Sequence, residues 1–280
     1  MIDDKKNNSR TLINLIGIPL LLGIIYLGEI YFTTLIFISI FISTMEFNEM
    51  CKKKNINIQL MWIYLFYTLI FITHFISFEI IRVENIELLC ILLIVICLSE
   101  VFRFKPKPLE NIGSSIFIII WVGLFLNYIV LIRLIPDHGM ILTLVMFLSV
   151  WLCDTAAFFF GSKFGVKKIL PTISPKKTWV GTVSGFISVL IFNFILLKSN
   201  IFMHLNYNFT ISDVFIFGLI FGVIGQIGDF VESMIKRQFN IKDSGTILRG
   251  HGGFLDRMDS LILVAPCYYL YLQFVMGING

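Results

Sequence analysis

Apolar positions dominate the chain in long, nearly unbroken runs, near 12–28, 29–46, 58–77, 86–102, 113–132, 140–161, 179–197, 213–232 and 256–276. Most approach the about 20 residues that a helix needs to cross the hydrocarbon core of a bilayer. They lack the strict alternation of barrel strands, which leaves helices as the way to satisfy a backbone in lipid. The pattern predicts an all-α, polytopic membrane protein with about nine transmembrane helices. The first two runs are short, and reading them as a re-entrant pair gives eight. No stretch between the runs is long enough for a separate soluble domain, so 1–280 reads as a single integral membrane domain. The first run follows the basic segment MIDDKKNNSR, as a secretory leader would. No small-residue cleavage site follows and a second apolar run begins almost at once, so it reads as a retained span.

Composition agrees. The chain is 57% hydrophobic and 14% charged, against about 25% charged residues in soluble globular domains. Five scattered cysteines, Cys51, Cys90, Cys97, Cys153 and Cys267, suggest neither a disulfide framework nor a zinc site. Lysine and arginine set the orientation. With the N-terminus in the cytoplasm, all of the 22 basic residues except Arg82, Arg133 and Lys198 fall at the cytoplasmic ends and loops, as the positive-inside rule requires. Topology accounts for clusters such as CKKKN, with attraction to anionic lipid as an added role. The net charge of +4 adds little, and no nucleic-acid partner is expected.

The two late cytoplasmic loops differ, because their basic residues are interleaved with Gly, Ser, Thr, Asp and His. In GQIGDFVESMIKRQF, Asp229, Glu232, Ser233 and Lys236 share one helical face. Such a stripe must face protein or water. A satisfied internal network, with Glu232 paired to Lys236, is the competing explanation. The loop RQFNIKDSGTILRGHGG follows, where glycines allow close backbone approach. Exposed N–H groups there, with Lys242, Arg249 and His251, could cradle phosphate. No Walker A pattern is present. Asp256 and Asp259 then open the last span, flanking Arg257. Helix-end electrostatics or pairing with Arg257 would explain them without function. Yet the loop returns the chain to the level of Asp229, so these carboxylates can converge. Magnesium takes one or two carboxylates plus substrate phosphates, which makes a Mg²⁺ site facing a triphosphate the sharper reading and a structural polar cluster the alternative. Upstream, Asp154 lies near the end of span six, and Ser174, Lys176, Lys177 and Thr178 surround Pro175. A positive-inside loop with a helix-starting turn is the simpler account of that second group.

These segments resemble the phosphatidate cytidylyltransferase (CDP-diglyceride synthetase) family. The C-terminal signature is matched at Ser233, Lys236, Arg237, Lys242, Asp243, His251, Gly252, Gly253, Asp256, Arg257 and Asp259, preceded by Gly228, Asp229 and Glu232. The Asp154 region and SPKKTW, 174–179, match as well. Two positions depart from the pattern: Arg249 stands where proline is common, and Val180 where an acid or amide is frequent. The resemblance implies transfer of CMP from CTP to phosphatidate, giving CDP-diacylglycerol and pyrophosphate, with Mg²⁺. It implies metal ligation by Asp229 and Asp256, then Asp259, with Asp243 next. Lys236, Arg237, Lys242, Arg257 and the GHGG turn would hold phosphates, and Lys176 and Lys177 would help at the membrane surface. Asp154, Ser174, Thr178, Glu232, Ser233 and Ser244 join them as expected substrate-binding positions. A second, monovalent cation such as K⁺, a homodimer and a bacterial inner-membrane location with a cytoplasmic site are further implications. A transporter is the leading alternative from another class, but the polar groups gather at one membrane face and are not repeated in two halves, as paired transporter repeats would be.

Overall fold

The computed structural model describes residues 17–75, 85–199, 201–202, 208–245 and 252–278. Nine main helices account for most of the described residues: α1 Gly17–Leu27, α2 Glu29–Lys52, α3 Leu60–Thr73, α4 Asn85–Arg103, α5 Pro108–Arg133, α6 Gly139–Phe164, α7 Trp179–Lys198, α8 Ile211–Gln238 and α9 Leu255–Phe274. No strand occurs among the described residues, and a single antiparallel bridge joins Lys168 to Thr178. Five helices, α2, α5, α6, α7 and α8, are long and apolar enough to cross a membrane. α1 and α3 are apolar but shorter.

Each predicted apolar run lies within or overlaps one of these helices, and several helices outrun the apolar stretches. α2 continues to Lys52, α5 begins at Pro108 and α8 runs on to Gln238. The backbone of a helix satisfies itself whatever the side chains, so the helix persists into the polar interface until a turn residue or a proline stops it. Glu46 lies within α2, and Asp229 to Lys236 occupy the last turns of α8. Each of α5 and α8 contains a π-helical stretch, Ile119–Leu124 and Gly218–Ile224. Such bulges rotate the residues that follow, and the second one lies just before Asp229.

Polar contacts between connections gather at the two ends of the bundle. At one end, Lys107 Nζ donates to the Lys54 carbonyl at 3.0 Å and Arg103 to the Asn57 carbonyl at 2.9 Å. There too Arg237 Nε donates to the Ile173 carbonyl at 3.2 Å, and Glu46 reaches the start of α9. At the other, Arg133 Nε donates to the Ile25 carbonyl at 3.0 Å, and His74 meets Asn127 at 2.8 Å. The apolar side chains between them form one core, with Phe217, Phe221 and Tyr268 packed edge to face where α8 meets α9.

Candidate active site

Gly228 determines how α8 and α9 meet. A Cβ there would lie 2.5 Å from the Asp259 carbonyl oxygen and 3.2 Å from Ser260 Cα. Only a residue without a side chain lets the two backbones come so close. The next residue, Asp229, is thereby held beside Asp259. Asp154 on α6 completes the group: the carboxylates of Asp154, Asp229 and Asp259 are electrostatic neighbours of one another and of Lys177. Lys177 forms an ion pair with Asp229, and its ammonium lies 4.3 Å from the Phe230 ring centroid. Ser233 Oγ donates to the other Asp229 oxygen at 3.2 Å.

Asp154 and Asp229 line a cavity of about 460 Å³. That volume falls in the range of about 300–1,000 Å³ usual for small-molecule sites. Lys168, Lys176, Lys177, Thr178, Thr182, Gln226 and the apolar Ala157 and Phe158 share its walls. Thr178 caps α7: its hydroxyl accepts from the Gly181 N–H at 3.2 Å. The run SPKKTW is therefore both a helix start and a cavity wall. Gln226 was not anticipated from sequence. Its amide donates to the Gly222 and Thr182 carbonyls at 2.6 and 3.1 Å, tying α8 to α7 beside the cavity. Lys168 was also missed, because as one basic residue in a positive loop it carried no distinguishing signal.

A second group lies further along α8. Lys236, only 8% exposed, donates to Glu232 Oε2 and to Asp256 Oδ1, both at 2.6 Å. Asp256 Oδ2 accepts from the Ser244 N–H at 2.9 Å, the Ser244 hydroxyl at 3.1 Å and the Gly253 N–H at 2.7 Å. Glu46 of α2 accepts from the same hydroxyl and from the N–H groups of Phe254 and Leu255, each at 2.9 Å. Gly253 is wedged between them, since a Cβ would meet Ser244 Oγ at 2.0 Å and Glu46 Oε2 at 2.3 Å. Glu46 is a functional candidate that motif spacing could not supply. The available signal was a carboxylate inside an otherwise apolar run, FISTMEF, which is costly there unless it has a partner.

The predicted site residues thus divide. Asp154, Asp229, Asp259, Lys176, Lys177 and Thr178 gather at or beside the cavity, and Ser233 supports them. Glu232, Lys236, Ser244, Gly252, Gly253 and Asp256 form the adjoining buried cluster. Lys242 and Asp243 are exposed in the turn after α8 and do not line the cavity. Arg237 is exposed and donates to the backbone of Ile173 and Ile241; Arg257 is exposed in the first turn of α9. Ser174 takes part through its backbone, in the turn from Leu170 to Lys177. His251 and Arg249 lie outside the described residues.

Among the described residues no three acidic, His or Cys side chains are close enough to hold a metal ion by themselves. Magnesium does not require that, because one or two carboxylates plus substrate phosphates suffice. The donor set fits such an ion: three neighbouring carboxylates share Lys177 as their nearby cation. Asp154 and Asp229 face the cavity, where Asp229 meets Lys177 and Ser233 Oγ, and Asp259 accepts from the Ser260 N–H. The oxygens of Asp256 are instead enclosed by Lys236, Ser244 and Gly253.

Fold and site together define a multi-pass helical membrane protein with an acid- and lysine-lined cavity at one end of its bundle, suited to handling anionic phosphates. The pattern of the cytidylyltransferase family matches residues 8–275. The chain is 28% identical over 274 residues to the phosphatidate cytidylyltransferase of Bacillus subtilis, covering 97% of this chain and 98% of that protein. It is 33% identical over 181 residues to that of Thermotoga maritima, 64% of this chain and 63% of the relative. With the Haemophilus influenzae protein of the same name it shares 39% over 146 residues, 50% and 49% of the two chains. The chain belongs to the cytidylyltransferase family and is a nucleotidyltransferase.

Proposed function

We propose that the protein transfers CMP from CTP to phosphatidate, forming CDP-diacylglycerol and releasing pyrophosphate for phospholipid biosynthesis. The observation that carries this reading is the cavity with Asp154 and Asp229 among Lys168, Lys176 and Lys177, in a chain of this family. Both reactants are anions, so positioning and charge neutralisation are the main demands, and fixed cations meet them best in a water-poor site. A phosphatidate oxygen attacks the α-phosphorus of CTP, the new P–O bond forms, and the bond to the β-phosphate breaks with departure of pyrophosphate. The phosphate monoester is already largely ionised near neutrality and needs no dedicated base. Lys168 and Lys176 hold phosphate oxygens as point charges. Lys177, bridged to Asp229, couples substrate phosphate to the acidic cluster, and Phe158 and Ala157 exclude water.

Asp229 and Asp259, with Asp154 beside them, would hold Mg²⁺. When bound it would neutralise the developing charge on the phosphates. Asp256 serves the same site by tying Lys236, Ser244 and Gly253 to the start of α9. A monovalent cation, implied by the resemblance, would find Glu232 Oε1, a buried oxygen without a hydrogen-bond partner among the described residues. The whole chain is proposed as one membrane domain of nine spans in the bacterial inner membrane, with the N-terminus and the active site cytoplasmic. A homodimer is proposed on the family resemblance.

The test supplies purified protein with CTP labelled in the cytosine ring, phosphatidate and Mg²⁺. Label is expected in the lipid phase with one pyrophosphate released per lipid formed. Absence of labelled lipid from a well-folded preparation would defeat the proposal.

A further inference from the structure

We infer that Glu46 is a positioning residue for this reaction: from α2 it fixes the start of α9, and with it the carboxylates and backbone that α9 brings to the site. This rests on the reading of the cavity as a cytidylyltransferase site. The first N–H groups of any helix lack partners within the helix. At α9 the residue in the capping position, Phe254, supplies no side-chain cap. Glu46 supplies it from far away in the chain, accepting from the N–H groups of Phe254 and Leu255 at 2.9 Å through its two oxygens. An anion at a helix N-terminus is favourable, and a carboxylate only 4% exposed would be costly without such donors.

Its reach goes beyond the cap. Ser244 Oγ lies 2.9 Å from Glu46 and 3.1 Å from Asp256, yet a hydroxyl has a single proton to donate. Glu46 and Asp256 therefore grip the same serine from two sides, and Gly253 passes between with no room for a Cβ. The contacts run on from Asp256 to Lys236 and Glu232. Asp259 follows one turn into α9, beside Asp154 and Asp229. Displacing the start of α9 would shift all of these together. Glu46 lies outside both segments that carry the family resemblance, 154–181 and 228–260, so its link to the site is visible only in three dimensions.

The test compares wild type with Glu46→Gln, Glu46→Asp and Ser244→Ala in detergent by hydrogen exchange at the Phe254 and Leu255 amides and by steady-state kinetics. Glu46→Gln is expected to speed exchange at both amides. It should also lower kcat/KM for CTP by about ten- to a hundredfold, the range typical of outer groups that orient a site, with KM for phosphatidate unchanged. Glu46→Asp, which keeps the charge but is shorter, should fall between that variant and wild type. Unchanged exchange in Glu46→Gln overturns the positioning role whatever the activity. Faster exchange with wild-type kcat and KM overturns the link to catalysis. Should Glu46→Gln fail to fold, Glu46→Asp and Ser244→Ala are read by the same two criteria. A wild-type protein that incorporates no CTP would sink the functional reading alone, because the exchange result still decides whether Glu46 sets the helix start.

Discussion

Asp229 and Asp256 look alike in the sequence, each an acid at the interfacial end of a span, but their surroundings separate them. Asp229 faces the cavity with Lys177 as its ion-pair partner. Asp256 is enclosed by donors from Lys236, Ser244 and Gly253. Asp229→Asn should abolish turnover with little change in thermal stability, since it removes charge from the open cluster; assay and unfolding in detergent check both. Asp256→Asn should lose turnover and also destabilise by about 1–3 kcal/mol, because an amide nitrogen cannot accept the donors that converge on it. Equal stability of the two variants would contradict this division. Lys236→Met should be harsher, about 3–5 kcal/mol, as it strands Glu232 and Asp256 as buried charges without their cation. The shared face of Asp229, Glu232, Ser233 and Lys236 was legible from helical spacing, including the Glu232–Lys236 pair. Which carboxylates face the cavity and which are enclosed was not, because that depends on the backbone N–H groups of Ser244 and Gly253.

At the scale of elements, the site exists because three helices with different neighbours end at one level. α6 brings Asp154, α8 brings Asp229, and α9 brings Asp259. The α8–α9 contact rests on Gly228, so Gly228→Ala should separate the two helices where the acids meet. Forcing a methyl against the Asp259 carbonyl should cost about 1–3 kcal/mol. It should also reduce kcat, which thermal unfolding and assay can record together. Wild-type activity with unaltered stability would show that the close approach is dispensable. The sequence placed Gly228 in the matched signature and could not say what it touched. Likewise, apolar runs located the helices, but their ends needed the fold. An apolar pattern reports the hydrocarbon thickness, whereas the helix itself ends where hydrogen bonding and turn chemistry stop it.

For the whole molecule, the nine-span proposal places the loops around Lys53, Lys105 and Lys242 on the cytoplasmic side and Asp137 on the other. In a background lacking the five cysteines, Cys substituted at Lys53 or Lys242 should react with an impermeant maleimide only after the membrane is opened. Cys at Asp137, which is exposed, should react in intact cells once any outer membrane is permeabilised. Labelling of Lys53 and Asp137 positions from the same side would defeat the topology. The contacts between Lys107 and Lys54, between Arg237 and Ile173, and between Glu46 and α9 supply the physical support. Loops that touch at one end of a bundle share one side of a membrane.

By itself the sequence determined the apolar solvent, the helical class, the approximate helix positions and the two polar segments that hold the candidate site residues. These follow from hydrophobicity and spacing, which are local properties of a chain in lipid. Only the tertiary structure decided how the polar residues divide between an open cavity and a buried cluster. It alone brought Glu46 on α2 to the start of α9 and Asp154 to the pair on α8 and α9. Those relations join residues far apart in the chain, and helix packing and hydrogen-bond partners, not periodicity, set the distances between them.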